Sequence, residues 1–273
     1  MSGMYHIGLG PEHLVGNDGV GRYVFLPGDR SRAERIADHF EDRQHIVNSR
    51  GHDSHLGIVR ASDGTSVEVL AISSGMGPAS VEIIATELLD CGAKRLVRVG
   101  SSAGVHPAVE PGSVVILTGA VRDESTSDRW TPREYPAISD PQAVAAMMQG
   151  AQDAGLASRC FTGIGHSKNS LFGREFARGP LTQENEQYLA ALAASGVLAT
   201  EMEASLLFVL ASVASAQSVQ PISAGALSAS VQAACVLAVY GEAGSEVSRQ
   251  ADRDAISVAC AGVLAWACQD AQR

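Results

Sequence analysis

In the stretch "ATEMEAS", two carboxylates, Glu201 and Glu203, flank Met202 between two apolar runs. An ionised carboxylate accepts short, charge-assisted hydrogen bonds from vicinal hydroxyls and stabilises positive charge that develops nearby. Acids at the start of a helix have a plainer use, since the helix N-terminus favours negative charge by about 0.3 to 1 kcal/mol, and that use is enough for Glu201. Two glycine turns carry complementary groups. "LPGDRSR" offers the Gly28 backbone and, in the first helical turn behind it, Arg32. "RVGSSAG" offers Arg98, Gly100, Ser101 and Ser102 at a strand exit, where amides, hydroxyls and a guanidinium converge well on an anion. "SGMGPAS" is a further glycine turn leading into a helix. Taken singly, such turns are ordinary; glycines make turns and most arginines are solvated.

The elements that position these groups alternate along the chain. "RYVFLPG" reads as a strand, and "RSRAERIADHF" as an amphipathic helix with Ala33, Ile36, Ala37 and Phe40 on one side. "HLGIVRA" and "SVEVLAISS" pair across an Asp63-Gly64 turn. "ASVEIIATELLDCGA" reads as a helix ending near Gly92, before the strand "RLVRVG". Further strands are expected at "SVVILTG", "CFTGIGHS", "GVLATE" and "QPISAGALS", and helices at "PQAVAAMMQGAQDAG", "LTQENEQYLAALAAS", "MEASLLFVLASVA" and "SRQADRDAISVACAGVLAWACQ". This alternation predicts one α/β domain over residues 1–273, a central mixed, twisted sheet flanked by helices.

Composition narrows the chemistry. With 273 residues, 45% hydrophobic and 18% charged, the chain buries a substantial core. A formal net charge of -10 argues against nucleic acid or an anionic membrane as partner and leaves only a local basic pocket for a small anion. The N-terminal "MSGMYHIGLG" has no basic segment leading into a long apolar run, so a cytoplasmic protein is expected. Five widely spaced cysteines in apolar surroundings read as free thiols. No CxxC or HExxH occurs, and the spacing of His52 and His55 suits no common metal site, so no metal is expected.

In order, "PGDRSR", "SRGHDSHLG", "SGMGPAS", "RVGSSAG" and "EMEAS" resemble the motifs of the nucleoside phosphorylase family, most closely its uridine phosphorylase branch, and the resemblance spans nearly the whole chain. It implies phosphorolysis of a nucleoside to free base and ribose 1-phosphate, with no cofactor and inorganic phosphate as co-substrate. It also implies roles residue by residue. Gly28, Arg32, Arg98 and Ser101 bind phosphate, with Arg50 reaching in from a neighbouring subunit; Glu203 holds the ribose hydroxyls, Met202 packs on the sugar, and His6 crosses to the neighbour's sugar. Arg98 and Glu203 are then catalytic, and the active unit is a homo-oligomer with shared sites, by analogy a hexameric trimer of dimers.

The base site departs from the family pattern. Ser102, Leu171, Phe172 and Arg174 are the positions that match it. In "KNSLFGREFARG", Arg174 stands where uridine enzymes place a glutamine and Phe176 where they place an arginine, with Arg178 as an alternative cation. In "AGALSAS", Ala229 replaces both the asparagine of uridine enzymes and the acidic aspartate of purine-cleaving ones. A departing purine wants a proton donor, whereas a departing uracil anion is stabilised by a cation. Arg174 is therefore expected to act on a pyrimidine, uridine first. Other readings are a purine nucleoside phosphorylase or a water-using nucleosidase of the same fold, and a non-catalytic nucleoside-binding protein. Arg30 replaces the usual proline of the first motif, and Gly51 a carboxylate that helps hold a monovalent cation in some relatives, so no such ion is expected.

Overall fold

The computed structural model describes residues 3–218 and 230–272. In chain order, the elements are β1 (Tyr23–Pro27), α1 (Arg30–Ala37), β2 (Glu41–Ile46), β3 (Ser54–Arg60), β4 (Ser66–Ile72), α2 (Pro78–Asp90), β5 (Arg95–Gly104) and β6 (Val114–Asp123). There follow β7 (Ala137–Ile138), α3 (Pro141–Asp153), β8 (Cys160–Lys168), α4 (Thr182–Ala194), β9 (Ala199–Glu201), α5 (Ala204–Gln217), β10 (Gln232–Val239) and α6 (Glu246–Asp270).

The strands form one mixed sheet, ordered β10-β6-β8-β9-β5-β1-β4-β3-β2, with β7 on β6. Because β10 also pairs with β5, the strands β5, β10, β6, β8 and β9 close into a small ring, and β1, β4, β3 and β2 extend from it as an open wing. The alternation of side chains along a strand feeds two cores. Val24 and Leu26 of β1 face the layer of α2 and α5, while Tyr23 and Phe25 face the layer containing Ile36 of α1, Met147 of α3 and Trp266 of α6.

The alternating pattern holds along most of the chain, and the β3–β4 pairing brackets the Asp63-Gly64 turn with Arg60 opposite Ser66. Three strands were not legible, of which β7 is only two residues long. β2, "EDRQHI", lies on the sheet edge with little burial and carries no apolar alternation. β10, "QAACVLAV", is buried at every position, so it shows a continuous apolar run with no period. The strand expected at "QPISAGALS" lies wholly outside the described residues, as does Ala229. Beyond "RLVRVG", β5 continues to Gly104, which carries Ser101 and Ser102 along the ring. Among the described residues no helix is long and apolar enough to cross a membrane.

Candidate active site

Arg98 on β5 is 4% exposed. Its Nε donates to Glu201 Oε2 at 2.8 Å, its Nη2 donates to Glu203 Oε2, and its buried Nη1 has no partner. Gly100 makes room for this fork, since a Cβ there would lie 2.8 Å from Arg98 Nη2. The two acids are held unequally. Burial pushes the Glu201 carboxyl up, but Arg98, the Ser167 hydroxyl and the amides of Glu203 and Ala204 outweigh it and keep Glu201 below the usual carboxylate range. Burial also raises Glu203; Arg98 opposes this, but the Glu201 charge beside it leaves Glu203 above its ordinary value. Glu203 otherwise accepts from the Gly77 amide at 2.6 Å and the Met202 amide at 3.1 Å. Gly77, at φ 81°, turns the chain into α2, so the carboxylate sits at that helix's N-terminus.

A cavity of about 380 Å³ gathers Gly28, Arg32, Arg98, Ser101, Ser102, Met202 and Glu203. Arg32, in the first turn of α1, is 3% exposed. It donates from Nε to Asp252 at 2.6 Å, from Nη1 to the Val99 carbonyl at 3.2 Å and from Nη2 to the Tyr240 hydroxyl at 2.9 Å. These bonds hold it beside Val99, midway along β5. The glycine turns and the "EMEAS" acids, distant in sequence, thus meet at one end of the cavity.

The other end is lined by Lys168, Leu171, Glu175, Phe176 and Thr200. Here the structure corrects two expectations. Arg174 does not line the cavity: its Nε and Nη2 both bind Asp123, at 2.7 and 3.1 Å, its Nη1 donates to Asn185, and its guanidinium lies over the Tyr188 ring. Phe172 is 55% exposed and stands outside the cavity beside Phe176 and under Arg178. The reason is a π-helical turn over Leu171–Glu175, in which the Phe176 amide reaches back to the Leu171 carbonyl. Such a turn brings residues four and five apart onto one side, so Leu171, Glu175 and Phe176 share the cavity wall. Lys168, Glu175 and Thr200 stand outside the motifs that mark the site in the sequence. The signal for Lys168 was a lysine at the end of an apolar strand, a pattern that ordinarily marks a solvated residue.

His6 and Arg50 lie together in a separate hollow with Ser49, His52 and Ser80. His6 Nδ1 is 2.6 Å from Glu87, which also accepts the amides of His6 and Ile7, and Arg50 reaches the Tyr5 hydroxyl at 3.3 Å. Neither lines the cavity of its own chain. Among the described residues no group of three or more His, Cys, Asp and Glu side chains is arranged to hold a metal ion.

The sequence model of the phosphorylase superfamily matches residues 22–257, and the motifs gathered at the cavity fall within that span. The chain belongs to the phosphorylase superfamily. It is 36% identical over 210 residues to the uridine phosphorylase of Treponema pallidum, covering 77% of this chain and 76% of that one. Two crystal structures share the fold. The uridine phosphorylase of Vibrio fischeri matches with a TM-score of 0.76 at 23% identity, over 98% of each chain. The purine nucleoside phosphorylase of Toxoplasma gondii in complex with immucillin-H matches with a TM-score of 0.79 at 20% identity, over 100% of this chain and 98% of that one. In this phosphorylase fold the ring of strands carries one wall of the cavity, and the loop after β8 carries the other.

Proposed function

We propose that the protein cleaves the N-glycosidic bond of a pyrimidine nucleoside, uridine first, with inorganic phosphate as nucleophile. The unpaired, buried Nη1 of Arg98, in one cavity with Arg32, Gly28 and Ser101, is the observation that carries this reading. A dianion in a partly dry pocket requires charged and hydrogen-bonding partners, and these groups supply them. A phosphate oxygen forms a bond to C1′ as the bond from C1′ to the base nitrogen breaks. The electron pair leaves with the base, which takes up a proton. The products are free base and ribose 1-phosphate. Glu203 orients the ribose through its hydroxyls and stabilises the positive charge that grows on the sugar, and Met202 packs against the ring.

The second part of the reading concerns assembly. His6 and Arg50 stand apart from the cavity of their own chain, and we place them in the site of a neighbouring subunit, in a homo-oligomer of shared sites built as a trimer of dimers. The five cysteines are unpaired, which suits a reducing compartment, and we place the reaction in the cytoplasm.

A panel of nucleosides assayed for base release tests the substrate, with uridine as the preferred one. Preference for inosine over uridine would overturn the pyrimidine assignment. For the shared site, the inactive variants Arg50→Ala and Glu203→Ala should regain activity when their subunits exchange, because some sites then hold both intact residues. Exchange without recovery would mean that each chain builds its own site.

A further inference from the structure

The base end of the cavity holds a charge pair that the family motifs do not account for. Lys168, at the end of β8, is 1% exposed, and its Nζ lies 2.6 Å from Glu175 Oε2. The ammonium also donates to Thr200 Oγ1 at 3.0 Å and to the Glu201 carbonyl at 3.2 Å. Both charged side chains line the cavity, with Leu171 and Phe176 as its apolar walls. Burying such a pair is costly unless something uses or satisfies it.

The lysine is held from behind. Thr200 Oγ1 accepts from Lys168, which has no acceptor of its own, and lies 2.9 Å from His166 Nδ1. With the Thr200 hydroxyl donating to that Nδ1, His166 Nε2–H points to Asp123 at 3.0 Å, and Asp123 is clamped by Arg174. Burial pushes the Asp123 carboxyl up, but His166 and Arg174 outweigh it and keep it low. The chain from Arg174 through Asp123, His166 and Thr200 therefore fixes the position of the Lys168 ammonium. Glu175 is different: among the described residues no other donor reaches its carboxylate, and Oε1 is free to accept.

We infer that Lys168 and Glu175 are the specificity-determining pair of the base subsite, and that together they select nucleobases with a lactam edge, a carbonyl oxygen beside a ring N–H. This rests on the phosphorolysis reading above. Lys168 shares an N–H with the carbonyl oxygen, and Glu175 Oε1 accepts the ring N–H. Uracil presents that edge. Cytosine presents the reverse, an amino group beside an unprotonated ring nitrogen, which would set donor against donor and acceptor against acceptor. A site built to pair buried polar groups rejects a mismatched analogue far more strongly than an apolar slot rejects a change of size. Lys168 has a further use in the reaction, because negative charge spreads onto the carbonyl oxygens of the departing base.

The test is the ratio of kcat/KM for uridine over cytidine in saturating phosphate. The account expects a ratio of at least about 100 in the wild type. In Glu175→Gln the amide can turn to meet either edge, so the ratio should fall about tenfold or more. The double variant Lys168→Met with Glu175→Leu removes both charges at similar volume, a replacement that buried pairs commonly tolerate, and should bring the ratio close to one. Thermal unfolding identifies which variants are folded. A wild-type ratio near one, or an unchanged ratio in a folded variant, would overturn the assignment and leave phosphorolysis standing. Failure of the wild type to release base from any nucleoside would overturn phosphorolysis, and the assignment with it.

Discussion

The two ends of the cavity are built in different ways. At the end proposed for phosphate and sugar, Arg98 within β5, Arg32 in the first turn of α1 and Glu203 between β9 and α5 are each nine-tenths or more buried and tied to partners from other elements. At the base end, Leu171, Glu175 and Phe176 come from one irregular turn, and Leu171 and Phe176 are 37% and 52% exposed. The first end is fixed by the sheet itself. The second can change residue by residue without disturbing the core, which is where substrate choice can vary while the chemistry stays constant.

The largest effect should come from the sheet-built end. Arg98→Ala removes the proposed phosphate ligand and leaves Glu201 and Glu203 facing each other unneutralised. Turnover should fall by about tens- to a thousandfold, and unfolding free energy by about 3 to 5 kcal/mol, read by steady-state kinetics and denaturant titration. Near-normal turnover would place the phosphate site elsewhere.

Glu203→Gln tests the sugar contact and its pH dependence. The folded-state value of Glu203 lies above its ordinary one. A raised acid contributes stability below its unfolded value and loses that contribution as pH rises through the folded one. Unfolding temperatures of the unliganded proteins should therefore shift in favour of Glu203→Gln as pH rises from about 4 towards 7. Its kcat/KM should fall about tenfold or more, since the charge-assisted contact is lost. A pH-independent difference in unfolding temperature would contradict the raised value.

At the loop-built end the effects should be smaller and more selective. Arg174 acts on the site only through Asp123, His166 and Thr200, so Arg174→Gln should leave uridine kcat within about threefold of wild type. The loss of its bidentate bond should lower stability near neutral pH and make it fall less steeply in acid, because Arg174 helps hold Asp123 low and the contribution it adds is the one that disappears as pH falls through that value. A selective collapse of uridine kcat would return Arg174 to the cavity. Smallest of all is Arg60→Ala, which removes an exposed pair with Glu41 on the outer wing and should change neither turnover nor unfolding midpoint.

Legibility in the sequence followed the same division. Gly28, Arg32, Arg98, Ser101, Met202 and Glu203 stand in short motifs, Gly28 and Arg32 at a strand-to-helix turn, Met202 and Glu203 at the start of a helix, and Arg98 and Ser101 along one strand. The structure indeed gathers them in one cavity. Arg174 could not be placed that way, because its partner Asp123 is 51 residues away and a π turn decides which side of the loop faces inward. Lys168 was hidden for a different reason. A charged residue at the end of a strand looks solvated until the partners that bury it, Thr200 and Glu175, are seen to converge. The fully buried β10 gave no period to read, while β2 gave no apolar residues to read it from.

We propose phosphate, held by Arg98 and its neighbours, as the nucleophile. Product analysis of uridine cleavage with and without added phosphate tests it most directly. Base release should require phosphate and yield ribose 1-phosphate in equal amount. Undiminished cleavage in phosphate-free buffer, with free ribose as the product, would contradict it and make water the nucleophile.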